Sequence, residues 1–205
     1  MTNETSAALL YGILPSIREI CGKDQQAEKA LIQTFLKAEK HAPGFSDDFM
    51  RSFHKQAETV PYPYEATILA TSSQHLREFQ LSNDSELASL IQSRADNLKK
   101  ILSSIPRVIP DRPIFLQTIK DIASNIRMLL DALNQRIEIN RQKSRASTDR
   151  LDMQKREFVR FSKRFSEALK EYFQDRCDER KRGVFREANR LLHQTNQVLN
   201  TLRHN

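Results

Sequence analysis

The 205-residue chain has no tryptophan, only four glycines and two cysteines, and seven prolines that all lie at or before Pro113. The 92 residues after Pro113 therefore hold one helix breaker, Gly183, and long helices are expected there. Cys21 and Cys177 stand 156 positions apart, too few for a disulfide framework or a closed zinc site, so a reducing compartment is the default. The opening segment lacks the basic start and unbroken apolar run of a secretory signal. No stretch approaches the ~20 apolar residues needed to cross a bilayer. A cytosolic or nuclear protein is expected.

Catalytic signatures are also missing. A di-iron carboxylate bundle needs Glu three positions before a ligating His, yet Ala38, Arg51, Ser72, Arg190 and Thr201 precede the five histidines at that spacing. There is no His-Glu-x-x-His, glycine-rich phosphate loop, nucleophile elbow or pair of metal-ligating cysteines. The expectation is a non-enzymatic chain with no catalytic residues, metal or cofactor. His193 reads as a packed or hydrogen-bonded side chain.

What is present is a globular composition, 39% apolar and 29% charged, with its net charge of +7 unevenly spread. Residues 1–113 carry a net −1 and residues 114–205 a net +8. An anionic partner is thus directed to the C-terminal part: an acidic peptide, a phosphoinositide surface or a nucleic acid. Composition leaves the three open.

Apolar periodicity reads as helices throughout. Leu9, Leu10, Ile13, Leu14, Ile17 and Ile20 follow one helical stripe, and Gly22 stands where a C-cap is expected. Asp24 opens a second helix with Ala27, Leu31 and Phe35 on one face. Ser46 reads as the N-cap of a third with Phe49, Met50 and Phe53. Three helices in so few residues expose more apolar surface than they can cover, so self-association is expected, the alternative being docking against the rest of the chain. Val60-Pro61-Tyr62-Pro63 marks a boundary.

A helix over 64–80 follows, and Ser82-Asn83-Asp84-Ser85 caps the next, which the turn at Ile105–Pro110 ends. Phe115, Ile119, Ile122, Ile126, Leu129 and Leu133 then advance by alternating fours and threes, with Leu116, Ala123 and Leu130 on a second stripe. The polar run 140–150 is a hairpin connection or a helix end in water. A helix with Phe158, Phe161, Phe165, Leu169, Tyr172 and Phe173 comes next, then a polar connection at Asp175–Gly183 and a last helix from Val184 to Leu202. The fold class is all-α: a helical domain at 8–60, a helical linker at 61–84, and an antiparallel four-helix bundle at 85–205.

Two bundle helices repeat one arrangement. Lys120, Ala123 and Arg127 stand at i, i+3 and i+7, and so do Lys163, Ser166 and Lys170. If the two helices are neighbours, Ala123 and Ser166 leave a depression that four cations flank. An amphipathic helix with leucines beside Asp or Glu suits it, with affinity of roughly micromolar order. An ordinary solvated face over small packing residues accounts for the same spacing. A second basic feature places nine Lys/Arg between Arg141 and Arg164 against Asp149, Asp152 and Glu157, and Arg180-Lys181-Arg182 adds a cluster. It fits an anionic membrane or phosphates, or a solubilising helix end. No aromatic interleaving supports nucleic-acid readout.

The stretches Phe115 to Ser124, Gln154 to Val159 and Ala188 to Asn196 closely resemble the programmed cell death protein 10 family, also called the cerebral cavernous malformation 3 family. Leu36 to Lys40 with Pro43-Gly44, and Ile101 to Pro106, are similar to the same family in register. The resemblance implies an N-terminal dimerisation domain, a linking helical segment and a four-helix domain similar to focal adhesion targeting domains. It implies a cytoplasmic, non-enzymatic adaptor, with recruitment to Golgi or plasma membrane. The adaptor homodimerises or pairs with the tails of germinal-centre group III kinases. Its bundle binds leucine-aspartate motifs of partners such as paxillin and striatin, and phosphoinositide binding and the striatin-organised phosphatase and kinase assembly are also implied. The family's peptide groove maps onto Lys120, Ala123, Ile126, Arg127, Lys163, Ser166 and Lys170, with Arg127 in place of a lysine. Its dimer interface maps onto Leu31, Thr34, Phe53 and His54, with Phe35 alongside. Thr34 stands for an alanine and His54 for a leucine, both more polar.

Overall fold

The computed structural model describes residues 8–56, 63–72, 81, 85–141 and 145–203, with backbone alone at 145 and 146. The chain is all-α. A π-helical turn at Leu9–Ile13 leads into α1 (Leu14–Cys21), α2 (Gln25–His41), α3 (Phe45–Gln56), α4 (Tyr64–Thr71), α5 (Glu86–Val108), α6 (Arg112–Arg141), α7 (Arg145–Gln174) and α8 (Asp178–Arg203).

The first helix is not uniform because Pro15 lies in the first turn of α1. Having no N–H, it cannot bond back to Tyr11, and the preceding amide of Leu14 reaches instead to Leu9, five residues back. Gly12 sits in that turn, where a Cβ would come within 3.1 Å of Met50 and 3.2 Å of Ile68. Gly22 ends α1 with φ 54°, a left-handed conformation that glycine adopts at little cost. Ile17 is buried, but Ile20, expected on the same stripe, is exposed. Asp24 caps α2 by accepting from the amides of Gln26 and Ala27.

Two expectations at helix ends need correction, at Ser46 and at Gly183. Ser46 is not a cap but lies buried inside α3; the Glu39 carboxylate of α2 accepts instead from the amides of Gly44 and Ser46, at 2.9 Å each. α5 ends at Val108, inside the expected Ile105–Pro110 stretch, with Pro106 in its last turn. Gly183 is helical, so the second connection shrinks to residues 175–177, and the run 140–150 is helix on both sides of 142–144. The helix over 64–80 is α4 as far as Thr71, and residues 73–80 lie outside the described residues, as do 57–62.

α5 to α8 form the antiparallel four-helix bundle, closed by α8 against α5. Its core joins Ile91, Leu98 and Leu102 of α5, Phe115, Ile122 and Leu129 of α6, Phe158 and Phe165 of α7, and Phe185 and Leu192 of α8. Within the expected helical linker, α4 packs across α8 and α5, burying Tyr64, Ala66, Ile68 and Leu69, and Asn189 of α8 donates to the Glu65 carbonyl at 2.8 Å. α4 also receives the N-terminal helices. The Tyr64 hydroxyl donates to Asp47, Arg51 pairs with Glu65, and the Arg51 guanidinium lies over the Tyr64 ring. The N-terminal helices therefore dock against the rest of the chain and still leave apolar residues exposed.

Candidate functional site: a trough on the bundle and an apolar face beside it

Two of the bundle's seams, α6 with α7 and α5 with α8, approach less closely than α7 with α8 or α5 with α6. The first of them carries an opening, a trough of about 330 Å³. From α6 come Ala123, Ile126 and Leu130; from α7 come Val159, Ser162, Lys163, Ser166, Glu167 and Lys170. Helical spacing explains the lining. Positions 123, 126 and 130 share one stripe, as do 159, 163, 166 and 170. Two stripes meeting over small side chains leave the gap.

Ile122 and Phe165, each one position from a lining residue in sequence, are buried in the bundle core. The Ser166 hydroxyl donates to the Ser162 carbonyl at 3.1 Å on its own helix, which leaves Ser166 as a small, hydrogen-bond-satisfied wall. Five residues expected at the site from sequence, Ala123, Ile126, Lys163, Ser166 and Lys170, lie together in the lining. Lys120 and Arg127 do not line it: both are exposed on α6, one turn before and after Ala123. Sequence reasoning missed Leu130, Val159, Ser162 and Glu167. Leu130 was visible as the third member of the Leu116–Ala123 stripe, and Val159 and Ser162 stand seven and four positions before Ser166, a signal that was available.

The cations flanking the trough carry no ion pair, a state they share with other described bundle cations such as Arg136 and Arg150. Among the described residues, none of Lys120, Arg127, Lys163 and Lys170 enters an ion pair or a side-chain hydrogen bond. By contrast, the basic segment 141–164 is partly neutralised: Arg141 pairs with Glu138, Lys155 and Arg156 with Asp152, and Arg160 with Glu157. Asp152 is held below the ordinary carboxylate range, burial opposing and the neighbouring Arg156 and Lys155 prevailing. Arg160 and Arg164 also bracket the Phe161 ring. Arg180 and Lys181 pair with Glu171 and Asp178.

The second surface lies on the N-terminal helices. α2 buries no residue at all along its 17 positions, although its sequence is amphipathic. Leu31 is 42% exposed and Phe53 62%, with Leu36, Phe45 and Phe49 exposed as well. Phe35 is half-buried and packs edge-on against Phe49 at 5.5 Å between ring centres. Thr34 is exposed, its hydroxyl bonded back to Ala30. His54 stands apart from this face: half-buried, it meets the Tyr64 ring of α4 edge-on and approaches the Thr67 hydroxyl at 3.5 Å. A polar residue at 54 is accommodated because it faces α4.

Among the described residues no group of His, Cys, Asp and Glu is arranged to hold a metal ion, and no helix is long and apolar enough to cross a membrane. His193 accepts or donates within a small network with Tyr11 and Gln197.

Comparison with known proteins gives two family matches. Residues 3–60 match the family described as programmed cell death protein 10, dimerisation domain, and residues 64–152 match programmed cell death protein 10, C-terminal. The chain is also 30% identical over 203 residues to a programmed cell death protein 10 homolog of Caenorhabditis elegans, spanning 97% of this chain and 92% of that one. The α7 wall of the trough, from Val159 to Lys170, lies beyond the C-terminal family match.

Proposed function

The chain belongs to the programmed cell death protein 10 family, and from that premise we propose that it is a non-enzymatic adaptor with two docking faces. The face on α1 to α3 pairs with a second copy or with the similar tail domain of a germinal-centre group III kinase. The trough between α6 and α7 captures an amphipathic helix of the leucine-aspartate kind, such as those of striatin and paxillin. Capture of one partner while paired with another is what makes such a chain a scaffold, and its workplace is the cytoplasm, with recruitment to Golgi or plasma membrane.

One observation carries the trough reading: apolar lining residues beside the unpaired Lys163 and Lys170 on α7, with Lys120 and Arg127 exposed nearby on α6. Partner leucines entering it gain roughly 1.5–3 kcal/mol each, and the acids beside them meet cations that no internal carboxylate has already claimed. After the cost of association, an affinity of roughly micromolar order remains. The pairing of the first face is supported by the dimerisation-domain match and by the helix α2, which has no buried residue of its own.

Titration of a leucine-aspartate peptide against wild type and Ala123→Asp tests the trough. Wild type should bind and the variant should lose at least tenfold, because a carboxylate would then stand in the lining. Equal affinities would end the reading. Anionic-membrane binding through 141–164 is the alternative; internal pairing of Arg141, Lys155, Arg156 and Arg160 weakens it. It predicts liposome binding that survives Ala123→Asp.

A further inference from the structure

The basic rim of the trough is interrupted. Glu167 lies in the lining between Lys163 and Lys170, on the same wall, four residues after one and three before the other. It is exposed, and among the described residues it enters no ion pair, although cations flank it on its own helix. Lys163 and Lys170 are about 10.5 Å apart along α7 at 1.5 Å per residue, the length of two turns of a docked helix. The α7 wall therefore reads plus, minus, plus at the spacing of successive turns.

A helix lying along this wall presents side chains at i, i+3 or i+4, and i+7 to those three positions in order. A partner with acids at all three would place one carboxylate against Glu167, which repels it. A partner with acid, base, acid meets opposite charge at every step. We infer that Glu167 is a specificity-determining residue, and that the trough selects amphipathic helices whose α7-facing edge carries two acids seven residues apart with a lysine or arginine between them. This rests on the trough reading above and refines it: the four cations attract acidic helices in general, while Glu167 rejects the uniformly acidic ones and fixes the register of the rest. A shift of one residue along the wall rotates the partner by about 100°, and a shift of one turn brings an acid onto Glu167.

The test uses the full chain and two labelled helical peptides with the same leucines, one bearing acid-lysine-acid and the other acid-acid-acid on the edge beside them. Wild type should prefer the lysine-containing peptide by roughly fivefold at low salt, with the preference shrinking as salt rises. Glu167→Gln should reduce that ratio towards one, and Glu167→Lys should reverse it. Ala123→Asp should lose both peptides. An unchanged ratio in both Glu167 variants, or equal tightening of both peptides on removal of the carboxylate, would overturn the role of Glu167 while leaving the trough standing. Undiminished binding of both peptides to Ala123→Asp would overturn the trough itself and this inference with it.

Discussion

The Tyr11 hydroxyl accepts a hydrogen bond from the Asn196 side-chain amide at 2.7 Å, joining the first helical turn to the last helix across 185 positions of sequence. Both groups are buried, so the bond replaces water that neither can reach. It ties the pairing face to the bundle that carries the trough.

Tyr11→Phe should lower stability by about 1–2 kcal/mol in urea unfolding, since the Asn196 amide would remain buried with no acceptor. Burial also pushes the Tyr11 phenol well above the ordinary tyrosine range, against the opposing bond from Asn196. Stability from this raised value is complete below pH ~10 and lost above it. The alkaline decline should therefore be shallower in Tyr11→Phe.

Removing single trough cations should act modestly. Lys163→Ala and Lys170→Ala should each weaken a leucine-aspartate peptide by roughly two- to fivefold and flatten its salt dependence, as expected of exposed charges. Arg156→Ala, whose side chain is paired with Asp152, should leave that affinity unchanged.

Phe53→Asp and Leu31→Asp alter exposed side chains without touching the buried core. Each should reduce self-association or kinase-tail pairing, moving the chain to monomer at tens of micromolar in light scattering, with the helical circular dichroism retained. A monomeric wild type that also ignores a kinase tail would contradict the pairing face.

Glu39 caps α3 from α2, and its carboxyl is held below the ordinary range: burial pushes it up, but bonds from Ser46 and the Gly44 amide outweigh that. The resulting stability is present above pH ~4.3 and is lost as pH falls through the lower folded value. Glu39→Gln should cost about 1 kcal/mol at pH 7, with the gap to wild type closing in acid.

Lys99 is 1% exposed and lies 2.9 Å from Asp96, which is itself partly open to solvent. Burial lowers its pKa, with the Asp96 carboxylate opposing. Below the folded value both states are protonated and the penalty is full; it is relieved as pH rises towards the unfolded value. Lys99→Met should be neutral or stabilising in thermal melts, while Asp96→Ala should destabilise by about 3 kcal/mol or more by stranding the ammonium.

Local pattern carried a large part of the architecture. The scarcity of breakers after Pro113, with Gly183 alone remaining, pointed to the long helices α6, α7 and α8, since little there interrupts the backbone ladder or an amphipathic face. The repeated cation, small residue, cation spacing on α6 and α7 was legible for the same reason: a helical face is a function of sequence separation alone. So was the charge asymmetry about Pro113.

Other features belong to no single helix. Glu167 enters the lining because α6 and α7 stand apart at that level, a distance set by everything packed behind them, and Lys120 and Arg127 fall outside it for the same cause. His54 turns to α4 because Tyr64 and Thr67 lie there, and α4 becomes core because α8 and α5 offer it a place. Sequence periodicity determined which side chains share a stripe; tertiary packing decided which stripes close on each other, since the rotation and separation of one helix against the next are settled by the sum of all the contacts between them.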